Sequence, residues 1–177
     1  MWNYRFGFSA TYYNKESKDQ IAQVTLPEES GYGAQLTNFG TVTNKGIEVS
    51  LDLAPIKTSN GFTWTIYGAF THNENKIKEL RAGVEEVQFG SSFAGSVISV
   101  HRPGQYYGEL LGSVNARDDK GNLLIDPSTG QMIRALERKI IGNPNPDYIL
   151  GITNTFNFKG FTLSALFDIK KRRTDIF

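Results

Sequence analysis

The sequence predicts an all-β chain made of antiparallel strands. Apolar and polar residues alternate with a period of two over several segments of about ten residues. The 12 Phe, 8 Tyr and 18 Gly residues favour strands that are joined by tight turns. No segment predicts a helix of ordinary length, and no internal repeat or flexible linker is recognisable. The predicted fold class therefore rests on the strands alone.

The first third of the chain predicts a strand at residues 4–14, in which Tyr4, Phe6 and Phe8 share the apolar face. Residues 15–18 predict a polar turn, and residues 19–26 predict a second strand. Residues 27–33, rich in Gly and acidic residues, predict a loop. Each of these segments is thus expected to be short.

The next two strands predict a hairpin. Residues 37–55 are extended, and Pro55 is expected to end the strand because it has no N–H to donate. Residues 56–61 predict a turn whose Asn60-Gly61 pair is its strongest signal. Residues 62–72 then alternate again.

The middle of the chain is less regular. Residues 73–103 predict a long loop, in which 75–80 is a strand end or a helical turn and 91–100 a loop or short strand. Residues 105–114 are predicted to be extended. Two turns are expected at 118–122 and 126–130, on either side of residues 123–125. Pro144 and Pro146 require an extended or turned segment.

The last hairpin has the clearest pattern. Residues 148–158 place Leu150, Ile152, Phe156 and Phe158 on one face. Lys159-Gly160 is a two-residue turn, and the following strand alternates from Phe161 to Ile169 with Leu166 as an exception.

Strands of about ten residues suit a tilted crossing of a bilayer, which needs roughly 9–11 residues. Aromatic residues near strand ends suit the interfacial girdles of a membrane barrel; they are Tyr4, Tyr12, Tyr13, Phe62, Trp64, Phe70 and Phe158. Short turns alternating with a long loop fit the same architecture. Alternating strands also build soluble β-sandwiches and soluble barrels, so periodicity alone leaves these alternatives open.

Composition excludes several other classes. The net charge is +1, and the basic residues 170–173 are interpreted as a solvated end, so no nucleic-acid partner is expected. The chain has no Cys, which excludes thiolate metal sites, a Cys nucleophile and disulfides. No apolar run reaches the roughly 18 residues of a membrane-spanning helix. The N-terminal residues do not resemble a signal peptide, so an earlier start is expected.

Three stretches resemble SusC/RagA-type TonB-dependent outer-membrane transporters. The most specific is the family's N-x-G-x-V-x-N-K-G-x-E motif, found here as Asn38, Gly40, Val42, Asn44, Lys45, Gly46 and Glu48. The second runs from Phe62 to Ile77, and the third from Ile141 to Lys171 through Gly-Asn-Pro-Asn-Pro. The motif is interpreted as barrel construction: its glycines permit close backbone approach or a bulge, Asn44 caps a turn, and Glu48 faces the polar side.

The resemblance implies a fold and a function. Residues 1–177 would be part of the C-terminal β-barrel domain of a large plugged transporter, without its plug domain and signal peptide. The parent protein would lie in the cell outer membrane and import oligosaccharides or peptides. Its partners would be the lipid bilayer, a SusD-like surface lipoprotein and TonB, the last through the plug. Two alternatives remain: a small complete outer-membrane barrel of structural or adhesive role, and a soluble carbohydrate-binding β-sandwich.

No enzyme is predicted, and no catalytic, metal or cofactor site is assigned; substrate-binding residues are unknown. His72 and His101 lack a second ligand at metal-binding spacing and are interpreted as polar loop residues. Glu85 and Glu86 are adjacent, but nothing supplies them with a partner for acid–base chemistry. Asp118, Asp119, Asn122 and Asp126 miss the spacing of a calcium loop and are interpreted as turn residues.

Overall fold

A computed structural model describes residues 5–25, 31, 33–93 and 97–172. Its strands are β1 (Phe6–Thr25), β2 (Ala34–Lys57), β3 (Thr63–Leu80), β4 (Val87–Phe93), β5 (Val97–His101), β6 (Glu109–Gly112), β7 (Lys139–Gly142), β8 (Pro146–Phe158) and β9 (Phe161–Arg172). The described residues contain no helix that could cross a membrane. The all-β prediction is confirmed.

The strands form two sheets. One has the order β1-β2-β3-β8-β9 and the other the order β4-β5-β6-β7. By contacts the chain divides into two compact units. Unit 1 comprises Met1–Lys15, Asn44–Glu74 and Pro146–Arg172, and unit 2 comprises Glu16–Thr43, Asn75–Asn145 and Arg173–Phe177.

In unit 1 the pairing of β3, β8 and β9 keeps one register between Leu150 and Asn157, so each face is continuous there. Phe70 on β3 pairs with Leu150 on β8, which pairs with Ile169 on β9. Because paired residues share a face, apolar residues stand beside apolar residues across three strands. The offset residues Thr65, Thr155 and Ser164 line up on the opposite, polar face. The two-faced pattern that the sequence predicts is therefore present.

The turn between β8 and β9 is the predicted two-residue turn. Lys159 and Gly160 have φ values of +45° and +88°. Two consecutive positive φ values match the type I′ turn, whose twist suits a β-hairpin. Lysine is a poor residue at a positive φ, where asparagine is tolerated.

We expect Lys159→Asn to stabilise the β8–β9 hairpin by a few tenths to about 1 kcal/mol, because Asn-Gly suits this turn. The measurement is the urea midpoint of the intact protein in lipid vesicles. Gly160→Ala is the matched variant at φ +88° and should lower the midpoint. A lower midpoint for Lys159→Asn would contradict the turn assignment.

The polar turn predicted at residues 15–18 is wrong, because β1 continues unbroken to Thr25. In place of a turn, β1 has a small local irregularity at Asp19, whose φ is +52°. Glu16 instead forms an ion pair of 2.8 Å with Lys78 of β3. Polar side chains can thus pair along a strand without interrupting it. The predicted loop at 27–33 lies mostly outside the described residues.

Pro55 does not end β2, which continues to Lys57. Ala54 N donates to Arg5 O beside β1, whereas Thr58 N donates to Phe62 O at the start of β3. Residues four apart in a regular strand point their N–H groups the same way, so the alternation is interrupted between them. Pro55 lies at that interruption, where a missing N–H is tolerated. The turn itself, with Gly61 at φ +91°, is confirmed.

The long loop predicted at residues 73–103 is wrong as a whole, but the alternatives of a strand end at 75–80 and of a short strand within 91–100 are confirmed. β3 continues through residues 75–80, and β4 and β5 follow it. Thr43 donates its hydroxyl to Lys76 O, and Arg81 N donates to Phe39 O. Both faces are polar or mixed here, so alternation no longer marks the strand. Of the predicted extended segment 105–114, only Glu109–Gly112 is a strand.

The core of unit 2 is a cluster of Phe39, Val42, Ile77 and Val87. His101 is 2% exposed, and its ring centroid lies 4.2 Å from that of Phe89 and 4.1 Å from that of Tyr107. Tyr107 also links the two ends of the segment between β3 and β8 through hydrogen bonds of its backbone. Its N–H donates to Asn75 O, and its carbonyl accepts a 2.7 Å hydrogen bond from Asn145 Nδ2.

Residues 114–136 of unit 2, termed the tip, form a small closed ring. Ala116 N donates to Ile133 O, Ile133 N to Leu124 O, and Leu124 N back to Ala116 O, at 2.8–3.0 Å. The predicted turns join its three segments, with Gly121 at φ +86° and Gly130 at φ +69°. Three segments that bond in a ring are too close together to enclose side chains.

Candidate functional site

The apolar face of unit 1 is the first candidate functional surface. Gly68 approaches the Leu51 side chain on this face, which places the apolar series of β2 beside that of β3. Its large side chains are exposed, and they include Phe6, Phe8, Ile47, Phe161, Leu163, Phe167 and Ile169. A soluble sheet buries such a face, whereas a membrane barrel presents it to lipid.

Aromatic rings lie at both ends of this apolar face. Near the two short turns, Phe62 lies 6.4 Å from Phe158 and Trp64 stacks on Phe156 at 5.7 Å between centroids. At the other end, Phe70 lies 5.8 Å from Tyr148. Two aromatic groups that bracket an apolar band match the interfacial girdles predicted from the sequence. Tyr13 lies on the polar face against Gly46, so its assignment to a girdle is wrong, and Tyr4 lies outside the described residues.

The polar face of unit 1 is the second candidate surface. Tyr67 is 46% exposed on it and borders two shallow hollows of about 180 and 270 Å³. One hollow is lined by Asp52, Thr65 and Thr155, and the other by Ser9, Glu48 and Thr71. Hydroxyls, carboxylates and one aromatic ring can bind the hydroxyl or amide groups of a polar solute.

Glu48 lies on the polar face, as the sequence predicts. The face assignment follows from a constant register between β1 and β2: Gly7 lies against Asp52, and Gly46 lies against Tyr13. Residues 46, 48, 50 and 52 of β2 therefore share one face. A carboxylate on this side avoids contact with lipid.

Both motif glycines lie where another chain segment comes too close for a side chain. A Cβ on Gly40 would clash with the backbone carbonyl of Glu79 and lie 2.9 Å from Leu80 Cα. A Cβ on Gly46 would overlap the Tyr13 hydroxyl and lie 2.7 Å from His72 O. The interpretation of both glycines as points of close approach is confirmed.

The other motif residues have structural positions. Val42 belongs to the core of unit 2. The prediction that Asn44 caps a turn is wrong, because Asn44 lies inside β2. Its Oδ1 is buried and has no hydrogen-bond partner among the described residues. Lys45 is exposed.

The aspartates considered as calcium ligands accept hydrogen bonds within their own turns. Asp118 Oδ1 accepts from the N–H groups of Lys120 and Asn122, and Asp126 Oδ1 accepts from the N–H and hydroxyl of Ser128. Hydrogen bonds from Asn122 and Ser128, respectively, lower the pKa of these two carboxyls. The plain-turn interpretation fits this geometry. Within the described residues, no three potential metal ligands lie together.

Glu85 and Glu86 are not arranged as a catalytic pair. Glu86 accepts hydrogen bonds from Arg102 Nε at 2.6 Å and from Gln88 Nε2 at 2.8 Å. Partial burial alone would raise the pKa of Glu86, but these hydrogen bonds lower it. Glu85 is exposed. Of the two histidines, His72 contacts the Asp147 carbonyl and His101 lies in the core of unit 2.

The burial of His101 was not predicted from the sequence, and it gives unit 2 a pH dependence. Burial lowers the pKa of His101 to about 4 from its ordinary 6.5. The folded state therefore favours the neutral ring. The contribution of the neutral His101 ring to the stability of unit 2 is fully present above pH 6.5. It falls as the pH drops from 6.5 towards 4, because the unfolded chain binds the proton more readily.

We expect unit 2 to lose up to about 3 kcal/mol of stability between pH 7 and pH 4. The measurement is amide hydrogen exchange in β5 and β6, corrected for the intrinsic rate at each pH. His101→Phe, which keeps an aromatic ring, should remove most of this pH dependence. An unchanged pH profile in His101→Phe would assign the effect to other groups.

Comparisons with known proteins agree with a sheet that has one apolar and one polar face. The family model "TonB dependent receptor-like, beta-barrel" matches residues 2–165. TonB-dependent receptor P3 of Formosa agariphila is 28% identical over 94% of this chain and 19% of its own length. TonB-dependent receptor SusC of Bacteroides thetaiotaomicron is 26% identical over 86% of this chain and 16% of its own length.

Solved structures show the same fold. The RagAB peptide importer in its closed-closed state has a TM-score of 0.71 and 21% identity, covering 96% of this chain and 19% of that one. Another structure, of the RagAB peptide transporter, has a TM-score of 0.70 and 19% identity. This chain spans about a fifth of the length of the relatives that it matches. The family match, which covers most of the sequence, shows that the chain belongs to the TonB-dependent receptor-like β-barrel family, and within that family it resembles SusC and RagA.

Proposed function

We propose that residues 1–177 form part of the barrel wall of an outer-membrane transporter that imports oligosaccharides or peptides. The observation that carries this proposal is the sheet of unit 1, which has an apolar face bracketed by aromatic rings and a polar face lined by hydroxyls and carboxylates. The first face suits lipid and the second suits an aqueous lumen. The family match supports the same assignment.

The Lys159-Gly160 turn is proposed to lie on the periplasmic side, because short turns lie there in outer-membrane barrels. The long connection between β3 and β8 then belongs to the outer surface. Energy coupling through TonB, by way of a plug, and a SusD-like surface lipoprotein are proposed as features of the whole transporter. This chain itself is proposed to have no enzymatic role. No observation favours a small adhesive barrel or a soluble carbohydrate-binding sandwich.

Site-specific labelling tests the orientation. This chain contains no Cys, so a single cysteine can be introduced at Lys120 in the tip or at Lys57 near the β2–β3 turn. A membrane-impermeant maleimide should label Lys120→Cys in whole cells and Lys57→Cys only after lysis. Equal labelling of both positions in whole cells would overturn the proposed orientation.

Uptake tests the function. Cells with and without the intact protein are supplied with labelled oligosaccharides or peptides, before and after the proton gradient is dissipated. We expect at least one solute class to enter only with the protein and the gradient. Uptake that is independent of either one would contradict TonB-dependent import.

A further inference from the structure

One polar side chain interrupts the apolar face of unit 1. Asn154 of β8 pairs with Ile66 of β3 and with Ala165 of β9, so all three residues face the same side. The other residues that β8 and β9 place on this face, from the turn as far as the Leu150–Ile169 pair, are all apolar: Leu150, Ile152, Phe156, Phe158, Phe161, Leu163, Phe167 and Ile169.

The pairing of β8 with β9 gives the depth of Asn154 in the apolar face. On this face, pairs follow one another every two residues, from Phe158–Phe161 at the turn to Tyr148–Lys171 at the other end. Two residues of a strand tilted by about 40° rise roughly 5 Å across a bilayer. Asn154 belongs to the third pair from the turn, so it lies roughly 10 Å inside an apolar band of about 25 Å. A polar group at this depth needs a hydrogen-bond partner.

Trp64 supplies a partner for only one side of the Asn154 amide. Its indole Nε1 donates a 3.2 Å hydrogen bond to Asn154 Oδ1. The Trp64 ring is held by stacking on Phe156, at 5.7 Å between centroids. Because an indole N–H is only a donor, the amide oxygen must face Trp64, and the NH₂ group with its two N–H donors points away. Among the described residues, none accepts a hydrogen bond from Asn154 Nδ2.

The side chains around Asn154 leave space for an acceptor from the bilayer. Ala165 stands beside Asn154, and it is exposed. The next residues on this face of β9 are Leu163 and Phe167, which are much larger and are 68% and 60% exposed. The small side chain of Ala165 therefore forms a notch in the apolar face. A molecule that lies against this face can reach the amide through the notch.

The order of chemical groups along this face selects a glycerolipid. At the turn, Lys159 Nζ lies 5.3 Å from the centre of the Phe158 ring, which places a cation where lipid phosphates lie. Asn154 lies deeper, and apolar side chains continue beyond it. A glycerolipid has the same order, with a phosphate at the surface, ester carbonyls below it and acyl chains beyond. Its carbonyl oxygen is an acceptor, which is the group that Asn154 Nδ2 lacks.

We propose that Asn154 binds the ester carbonyl of a glycerolipid. This inference rests on the proposed function, which makes the apolar face of unit 1 the face that meets lipid. Asn154 Nδ2 donates a hydrogen bond to the carbonyl oxygen, and an acyl chain of the same lipid lies over Ala165. Trp64 is a positioning residue, since its indole holds the amide with the NH₂ group towards the lipid.

A double-mutant cycle between protein and lipid tests this hydrogen bond. Urea midpoints of the intact protein and of Asn154→Leu are measured in vesicles of ester-linked phosphatidylcholine. They are measured again in the ether-linked analogue, which has the same chains and no carbonyl. The substitution should lower the midpoint by roughly 0.5 M more in ester than in ether vesicles, the effect of one lost hydrogen bond. Loss of the Trp64 contact is common to both lipids and cancels.

The matched control is Asn157→Leu on the polar face of the same strand. Asn157 Nδ2 donates to the Thr63 hydroxyl, and Asn157 Oδ1 accepts from the Thr162 hydroxyl. These partners belong to the protein, so the substitution should lower the midpoint equally in the two lipids. If Asn154→Leu does not fold, Asn154→Ala takes its place in the same cycle.

Three outcomes would overturn the proposal. Equal effects of Asn154→Leu in ester and ether vesicles would show that no lipid carbonyl binds the amide. An effect that grows with the protein-to-lipid ratio would assign the acceptor to a second copy of the protein. A lipid-dependent effect of Asn157→Leu as large as that of Asn154→Leu would assign the difference to the bilayer as a whole. If the cycle fails while the uptake experiment succeeds, this inference ends and the proposed function stands.

Discussion

Replacing Gly40 with alanine is expected to unfold the pairing between β2 and β3 in unit 2. The new methyl group would meet the Glu79 carbonyl and, at 2.9 Å, Leu80 Cα. Both are backbone atoms of a paired strand, so no side-chain rotation can relieve the clash. A backbone shift here would also strain the hydrogen bond from Arg81 N to Phe39 O, beside the core of unit 2.

We expect Gly40→Ala to cost about 3 kcal/mol or more, which is large for a single methyl group. Hydrogen exchange of residues 39–42 and 77–81 in the intact protein measures the loss. Gly33→Ala is the control, because a Cβ at Gly33 meets no atom within 4 Å. Equal protection in the two variants would show that β2 and β3 can separate at Gly40 without cost.

The second large effect is expected when a charge is placed in the apolar face of unit 1. Phe167 lies near the middle of β9, pairs with Ile152 and is 60% exposed. Its neighbour Leu166 pairs with Thr153 on the opposite face and is 67% exposed. Exposure is therefore similar at the two positions, but the proposed solvents differ.

Phe167→Arg should destabilise the barrel by about 2–4 kcal/mol, the cost of a cation at the bilayer midplane. Leu166→Arg should cost about 1 kcal/mol or less, because the proposed lumen on this face is aqueous. Urea unfolding of the intact protein in lipid vesicles measures both. Equal costs would mean that the two faces meet the same solvent, and a larger cost for Leu166→Arg would reverse the assignment of the faces.

The sequence predicted unit 1 well because its two faces differ in polarity. From Phe161 to Ile169, lipid and water would select alternate residues, so the period of two is visible in a single strand. The Lys159-Gly160 turn is visible because few residue pairs suit its backbone. The close approaches at Gly40 and Gly46 were predicted from the motif, but the atoms they meet were not.

Prediction failed where both faces of a strand are polar or mixed. Glu16 and Lys78 bond across β2, and a single strand gives no sign of that pairing. Residues 75–80 lost the alternation but kept the backbone pairing, so the sequence left a strand end and a helical turn open as alternatives there. His101 was assigned to a loop because the aromatic rings around it come from distant positions in the chain. Substrate contacts remain unpredicted, since the polar hollows depend on several strands at once.

The closure of unit 2 by Tyr107 has a consequence for the order of assembly. β3 and β8 pair although residues 81–145 separate them, and bringing together the ends of such a long segment costs chain entropy. Tyr107 binds Asn75 and Asn145, the residues that lie near the two ends of the segment. If this connection folds first, β8 reaches β3 over a few residues, a saving of about 2 kcal/mol in closure entropy. The segment between β3 and β8 would then act as a folding nucleus for the sheet that contains these two strands.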